Sequence, residues 1–331
     1  MDSGPVFVAG VERSGTSLIY ALLASHPNIA MTRRTNLWTH FLCQYGDLHR
    51  RENFERCLAS MLRYKRLLPL KLDPERIRRE FWQGEPSYAH LFALLEEHYA
   101  ERQGKRHWGD KSLNTERYVD AIFAAYPNAR IIHMIRDPRD RNASALTRWK
   151  VSRGGVGTGT AMWLNSVNLA RRNQKRYPDG YMIVRYEALV SQPEATLREI
   201  CTFIGEVYTP AMLAMEGAQQ FRDEGGNSSY GRREPGRIST SSIGRFRQLL
   251  PAAQIAFTQM IAARDMLALG YPPEPTRFSP RERLVFTLID VPLNLARMLA
   301  WMGREAYLDR VGRTLPSYRI VGNLGSQKAS V

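Results

Sequence analysis

Val6-Phe7-Val8-Ala9-Gly10-Val11-Glu12-Arg13-Ser14-Gly15-Thr16-Ser17, continuing as Leu18-Ile19-Tyr20-Ala21-Leu22-Leu23, is the stretch around which this chain is organised. A short apolar run of strand type breaks at Gly10, crosses a compact polar loop and resumes with helical spacing. The pattern predicts a strand, a tight turn and a helix N-terminus. The first-turn amides of such a helix have no partners within it and favour an anion. Ser14, Thr16 and Ser17 add hydroxyl donors, Gly15 lets the backbone come close, and Arg13 adds a fixed positive charge. The loop suits a phosphate or a sulfate. The plainer alternative is a helix start capped by Ser14 or Thr16 with no ligand.

Gly10 and Gly15 have the spacing of a Walker A loop, but Thr16 stands where a nucleotide triphosphatase carries lysine. The usual contact to the β- and γ-phosphates is missing, and the cation has moved inside the loop, to Arg13.

The chain has 331 residues, enough for one large domain or two small ones, and its 44% hydrophobic and 24% charged content is that of a globular protein. Its net charge of +15, from 47 basic and 32 acidic residues, implies anionic ligands or surfaces. Three cysteines, Cys43, Cys57 and Cys201, lie far apart without metal-ligand spacing and read as buried free thiols of a reducing compartment. The N-terminus enters a strand almost at once, so no signal peptide and a cytoplasmic location are expected.

After the loop helix, His26-Pro27-Asn28 forms a turn and Ile29-Ala30-Met31 a second strand, followed by Arg33 and Arg34. Ligands of open α/β sheets gather outside the carboxyl ends of the strands, so these arginines either face the site or lie solvated in a loop. Residues 44–100 read as several basic helices, one starting at Asp73-Pro74. They form either a solvated face or a lid over an acceptor.

His107 to Ser112 precedes a helix expected over 114–126. Arg130 to Ile135 is a continuous apolar strand whose His133 reads as a satisfied core histidine. It ends in Arg136-Asp137-Pro138-Arg139-Asp140, from which a helix runs through Ser144 to Trp149. Pro138 suits the first turn and Asp140 complements the dipole.

Arg153 to Gly159 reads as a flexible glycine-rich loop before a helix over 161–177, and Tyr181 to Tyr186 as another strand. Glu194 to Ile204 is an amphipathic helix stopped by Gly205. Residues 222–244, rich in Gly, Ser and Arg (Arg222, Gly225, Gly226, Arg232, Arg233), read as a long loop. A helix over 251–269 follows, and Pro272-Pro273-Glu274-Pro275 marks a boundary. Alternating strands and helices predict a P-loop-like, three-layer α/β/α domain with a central parallel sheet over residues 1–275, and a C-terminal helical extension over 276–331.

In that extension Leu284–Met302 is apolar but interrupted by Asp290, Pro292, Asn294 and Arg297, and is expected to fall short of a membrane span. A helix packed on the domain or on a second copy is expected, with attachment to a membrane surface as the alternative.

The loop at Arg13–Ser17, the strand ending in Arg136 with Ser144 two turns on, and Tyr186-Glu187 after a third strand form a set. The set resembles the sulfotransferases that use 3′-phosphoadenosine 5′-phosphosulfate (PAPS), nearest the bacterial and glycan-modifying branch, over residues 5–270. By this resemblance Arg13, Ser14, Gly15, Thr16 and Ser17 form the 5′-phosphosulfate loop, and Arg136 and Ser144 contact the 3′-phosphate. Tyr186 stacks near the adenine, and Arg245, in Ser242-Ile243-Gly244-Arg245, belongs to a loop closing over the 3′-phosphate.

Gly109-Asp110-Lys111-Ser112 is similar to the Glu-Lys-Ser/Thr element of the glycan enzymes, whose acid is the catalytic base. Here that acid is Asp110, one methylene shorter. A plain reading of Asp110-Lys111 is an ion pair or helix cap. The tyrosine-modifying branch carries its base where this chain has Arg33 and Arg34, so that assignment does not transfer.

The resemblance implies sulfuryl transfer from PAPS to a hydroxyl acceptor, expected to be carbohydrate or lipid-linked, leaving PAP as product and needing no metal. Arg13 and Lys111 would take up charge on the leaving phosphate, and Asp110 would accept the acceptor's proton. The rival readings are a P-loop nucleotide kinase or triphosphatase, and a nucleic-acid-binding protein, for which only the net charge speaks.

Overall fold

The computed structural model describes residues 4–148, 154–218, 221 and 238–311. Five strands, β1 (Val6–Ala9), β2 (Ile29–Arg33), β3 (His107–Lys111), β4 (Arg130–Ile135) and β5 (Tyr181–Arg185), form one parallel sheet in the order β2-β3-β1-β4-β5. The helices are α1 (Thr16–Ala24), α2 (Arg51–Arg63), α3 (Pro74–Phe81), α4 (Tyr88–Arg102), α5 (Val119–Ala125), α6 (Pro138–Arg148), α7 (Gly155–Arg176), α8 (Tyr186–Ser191) and α9 (Pro193–Ile204). Beyond these lie a helix at Ala252–Ala268 and a long C-terminal helix, Pro280–Arg310.

Successive side chains of a strand point to opposite faces, and here both faces are apolar. Val6, Val8, Ile132 and Met134 pack against α1, α8 and α9. Phe7, Ala9, Ile131 and Ile135 pack against α2 to α5 and α7. The expected three-layer arrangement is the observed one.

Strand β3 is the element that the sequence pattern did not announce. It separates β1 from β2, pairing Phe7 with Asp110 on one side and Thr32 with Asp110 on the other. Gly109 is required there, because a Cβ would lie 2.5 Å from both Val6 O and Met31 Sδ. The helix expected over 114–126 divides into a 3-10 turn at Thr115–Arg117 and α5.

The glycine-rich stretch expected to be a loop is instead the first turn of α7, which begins at Gly155. Its glycines serve contact rather than flexibility. A Cβ on Gly157 would lie 2.3 Å from Asn294 O, so the C-terminal helix crosses α7 backbone against backbone. Arg153, in the same stretch, and Trp149, at the expected end of α6, lie outside the described residues. So do Arg222, Gly225, Gly226, Arg232 and Arg233 of the long-loop reading.

In the basic block, Asp73 caps α3 by accepting from the amides of Glu75 and Arg76 at 3.1 Å each. Arg76 pairs with Glu80 and Glu101, and Arg78 with Glu55 and Glu75. These arginines belong to an ion-paired outer face.

The C-terminal helix corrects the expectation that it falls short of a membrane span. It starts earlier, at a Ser279–Glu282 capping box, and is continuous to Arg310. Only Asp290 and Arg297 are charged between Leu284 and Trp301. By length and composition it is long and apolar enough to cross a membrane. Pro292 does not stop it: lacking an N–H to donate to Leu288, the chain takes a π-helical turn at Phe286–Asp290 and runs on.

Candidate functional site

The site lies where β1, β2, β3 and β4 end. Gly10 turns the chain out of β1 with φ 122°, and a Cβ there would meet Met134 O at 2.5 Å. Arg13 takes a left-handed φ of 72° and Gly15 one of 93°. Helix α1 then begins at Thr16 with Gly15 as N-cap and no side-chain cap. The plain capping role for Ser14 or Thr16 is thereby removed. Ser14 Oγ is buried without a hydrogen-bond partner, an arrangement that costs stability unless a ligand satisfies it.

Tyr186 sits under this loop. It is 5% exposed, and a Cβ on Gly15 would lie 2.5 Å from its Cδ2. The guanidinium of Arg136 lies 4.5 Å from the centre of its ring. The structure therefore places Tyr186 between the loop glycine and Arg136, with little surface left for stacking on a base.

The two arginine motifs converge. Arg13 Nε donates to Ser144 Oγ at 2.9 Å, and Arg136 donates to Arg13 O at 3.3 Å and to Ser242 O at 2.6 Å. Arg136 is held at its own carbonyl by Trp163 Nε1 at 2.8 Å, and its Nε is buried without a partner. Asp140 accepts from the amides of Gly244 at 2.7 Å and Phe246 at 2.9 Å, which ties the segment carrying Arg245 to α6. Asp140 is thus a clamp on that segment as well as a helix-dipole partner. Arg141 fixes the other edge by pairing with Glu12 at 3.1 Å.

Lys111 is 4% exposed. Burial, reinforced by the positive charges of Arg34, Arg33 and Arg13, lowers its pKa to about 8, against the pull of Asp110. Arg33 is paired with Lys111 in the sheet register, and Arg34 N donates to Lys111 O at 2.8 Å. Four cationic side chains thus crowd one end of the sheet, a field that an anion would relieve.

Asp110 points the other way, as alternation in a strand requires. It is 2% exposed, and its Oδ1 accepts from Thr35 at 2.9 Å and Thr32 at 3.1 Å, while Oδ2 is buried without a partner. Thr32 Oγ1 also lies 3.0 Å from Glu96 Oε1. Two buried carboxylates bridged by one hydroxyl cannot both stay ionised. Burial and the Asp110 charge hold the Glu96 carboxyl well above the ordinary range. Burial also leaves Asp110 raised, but to a lesser degree, because hydroxyls of Ser112, Thr35 and Thr32 and the charge of Lys111 pull it back. The shared proton therefore belongs on Glu96.

Glu96 escaped the sequence reading. Its signal was there: it stands four residues after Phe92, on the buried side of α4. His133 is a core residue, as expected, held between Tyr181 Oη at 2.6 Å and Ser166 Oγ at 2.9 Å, and burial lowers its pKa to about 3. Among the described residues no group of three or more His, Cys, Asp or Glu is arranged for a metal ion.

A family model described as the sulfotransferase family matches residues 5–210. The chain is 25% identical over 293 residues to nodulation protein NoeE of Sinorhizobium fredii, covering 80% of this chain and 65% of that protein. It is 24% identical over 220 residues to protein-tyrosine sulfotransferase 1 of Danio rerio, covering 65% and 57%. The chain thus spans less than two thirds of the length of either relative. The sulfotransferase domain from the curacin biosynthetic pathway shares the fold, with a TM-score of 0.53 at 19% identity over 79% of this chain and 96% of that one.

Proposed function

This chain belongs to the sulfotransferase family, and we propose that it moves a sulfuryl group from PAPS to a hydroxyl acceptor, carbohydrate or lipid-linked. The observation that carries the reading is the meeting of Arg13, Ser144 and Arg136 at one point. One nucleotide bearing phosphate at both ends needs two anion sites side by side, and a single anion loop would not need the second. The family match does not favour the kinase or nucleic-acid readings.

The residues fit such a nucleotide. Ser14 Oγ and Arg136 Nε are buried donors awaiting acceptors, and the first-turn amides of α1 face the same loop. Ser14, Gly15, Thr16 and Ser17 would hold the 5′ end, with Arg136, Ser144 and Arg245 at the 3′ end. When bound, the nucleotide supplies an activated sulfuryl group on a phosphate leaving group.

Arg13 and Lys111 hold positive charge where that phosphate forms. Preorganised charge in a dry site is the main contribution such a site makes. Asp110 is the group we assign to accepting the acceptor's proton, through Oδ2, with neutral Glu96 behind it. Cys57 and Cys201 are buried free thiols, whereas Cys43, expected to be buried, is exposed; an exposed free thiol suits a reducing cytoplasm, the location we propose.

The test is a thermal-shift series with PAPS, PAP and magnesium ATP, followed by transfer of radiolabelled sulfate to glycan and glycolipid fractions. Stabilisation by PAPS and PAP and not by ATP is expected. Neither binding nor stabilisation by PAPS overturns the reading.

A further inference from the structure

The C-terminal helix is seated firmly on one side and bare on the other. Inward, Asn294 and Met298 are buried. Asn294 Oδ1 accepts from Gly157 N at 3.1 Å, and Glu305 pairs with Arg117 at 2.8 Å. These contacts fix the rotation of the helix from Asn294 to Glu305.

Outward, it exposes Leu284 (60%), Leu288 (63%), Ile289 (57%), Leu293 (45%), Leu299 (66%) and Met302 (51%). Only 11% of its most apolar window is buried. Single exposed leucines are ordinary on a protein surface, but six large apolar side chains exposed along one helix, with Arg297 the one exposed charge among them, mark an interaction site.

Arginines border the row: Arg281 and Arg283 at one end, Arg304 and Arg310 at the other, all exposed. The nearby acids are largely engaged. Glu282 closes the capping box, and Glu305 and Asp309 pair with Arg117.

We propose that this face docks on an anionic lipid bilayer, the helix lying in the plane of the headgroups with its leucine row in the acyl boundary. Arginine-flanked apolar faces bind such surfaces by burial and by charge together. The +15 charge of the chain adds long-range attraction. A second copy is the poorer occupant, because an isologous pairing on this face, parallel or antiparallel, sets arginine clusters against arginine clusters. Crossing the bilayer is excluded by the seat, since it would carry the Asn294–Gly157 contact and the Arg117–Glu305 pair into hydrocarbon. The proposal is independent of the transfer reaction.

The experiment is flotation of the full chain with vesicles of phosphatidylcholine alone, and of phosphatidylcholine with phosphatidylglycerol in equal parts, at low and high salt. Sedimentation velocity runs in parallel without lipid. Binding to the anionic vesicles, weakened by salt, is expected. A Leu288→Glu/Leu299→Glu variant with an unchanged circular dichroism spectrum and melting temperature should bind about tenfold less or weaker still.

A chain that ignores all vesicles overturns the proposal. If it also sediments as a dimer that the double variant dissociates, the face belongs to a second copy. Equal binding of the variant and the native chain overturns it too, by placing the contact elsewhere.

Discussion

Arg13 Nε and Ser144 Oγ stand 2.9 Å apart although 131 positions separate them in the chain. One contact thus joins the loop after β1 to the helix after β4. Ser144→Ala removes a hydroxyl proposed to meet the nucleotide's 3′-phosphate, a hydrogen bond to a charged group worth about 1.5–3 kcal/mol, so PAP affinity should fall about tenfold or more by titration calorimetry. Arg13→Ala should lose turnover by about 10²–10³, whereas Arg136→Ala should chiefly weaken nucleotide binding. Unchanged PAP affinity in Ser144→Ala would mean that no nucleotide is held between these motifs.

Lys111 gives a proton-linked prediction. Burial and the neighbouring arginines lower its folded pKa from 10.5 to about 8. Between those values the unfolded chain binds a proton that the folded chain does not, so this group's contribution to stability rises with pH through that window. Below it the buried charge is a standing cost. Lys111→Met should therefore raise the melting temperature at neutral pH while abolishing transfer. An anion beside Lys111 restores its proton affinity, so PAP binding near pH 8 should take up part of a proton. Calorimetry in two buffers of different ionisation enthalpy measures that uptake, and zero uptake would separate Lys111 from the ligand.

Glu96 and Asp110 divide roles by charge, and two substitutions distinguish them. Glu96→Gln keeps the shape and the neutral state, so activity should stay within a few-fold of native. Asp110→Asn removes the proposed proton acceptor, and the rate should fall about 10²-fold or more. The stability profile carries the opposite sign from that of Lys111. A raised carboxyl contributes stability that is complete below about 4.5 and is lost as pH rises through its folded value. Glu96→Gln should flatten that loss in chemical denaturation across pH. A Gln variant as inactive as Asp110→Asn would make Glu96 the base instead.

How much of this was legible in the sequence varies by element. The loop at Gly10–Ser17 could be read because its residue types are chemical requirements: glycines where φ is positive, with hydroxyls and an arginine of the kind an anion site needs. Strand β3 could not. His-Trp-Gly-Asp-Lys has no β-branched residue, and its strand character comes from neighbours on both edges, a tertiary cause.

Gly155–Gly159 misled for the converse reason. Glycine has two uses, freedom and close approach, and only the position of Asn294 selects the second. Asp110 and Lys111 were adjacent letters that suggested one function. The pleat sends them to opposite faces, and the buried partner of Asp110 lies on α4, fourteen positions upstream.

The seat of the C-terminal helix can be tested with two glycines that differ only in what surrounds them. A Cβ on Gly157 would lie 2.3 Å from Asn294 O and 2.9 Å from its Cα, so Gly157→Ala must push backbone from backbone. A Cβ on Gly303, in the C-terminal helix itself, would meet nothing within 4 Å. Gly303→Ala should therefore stabilise that helix by about 0.5–1 kcal/mol through helix propensity. Gly157→Ala should cost about 1–3 kcal/mol through overpacking. Hydrogen exchange read over residues 291–311 should show the first change slowing and the second accelerating exchange. Equal and opposite-free behaviour, with both substitutions slowing exchange, would mean that the helix does not rest on Gly157, and the orientation of its leucine row would lose its support.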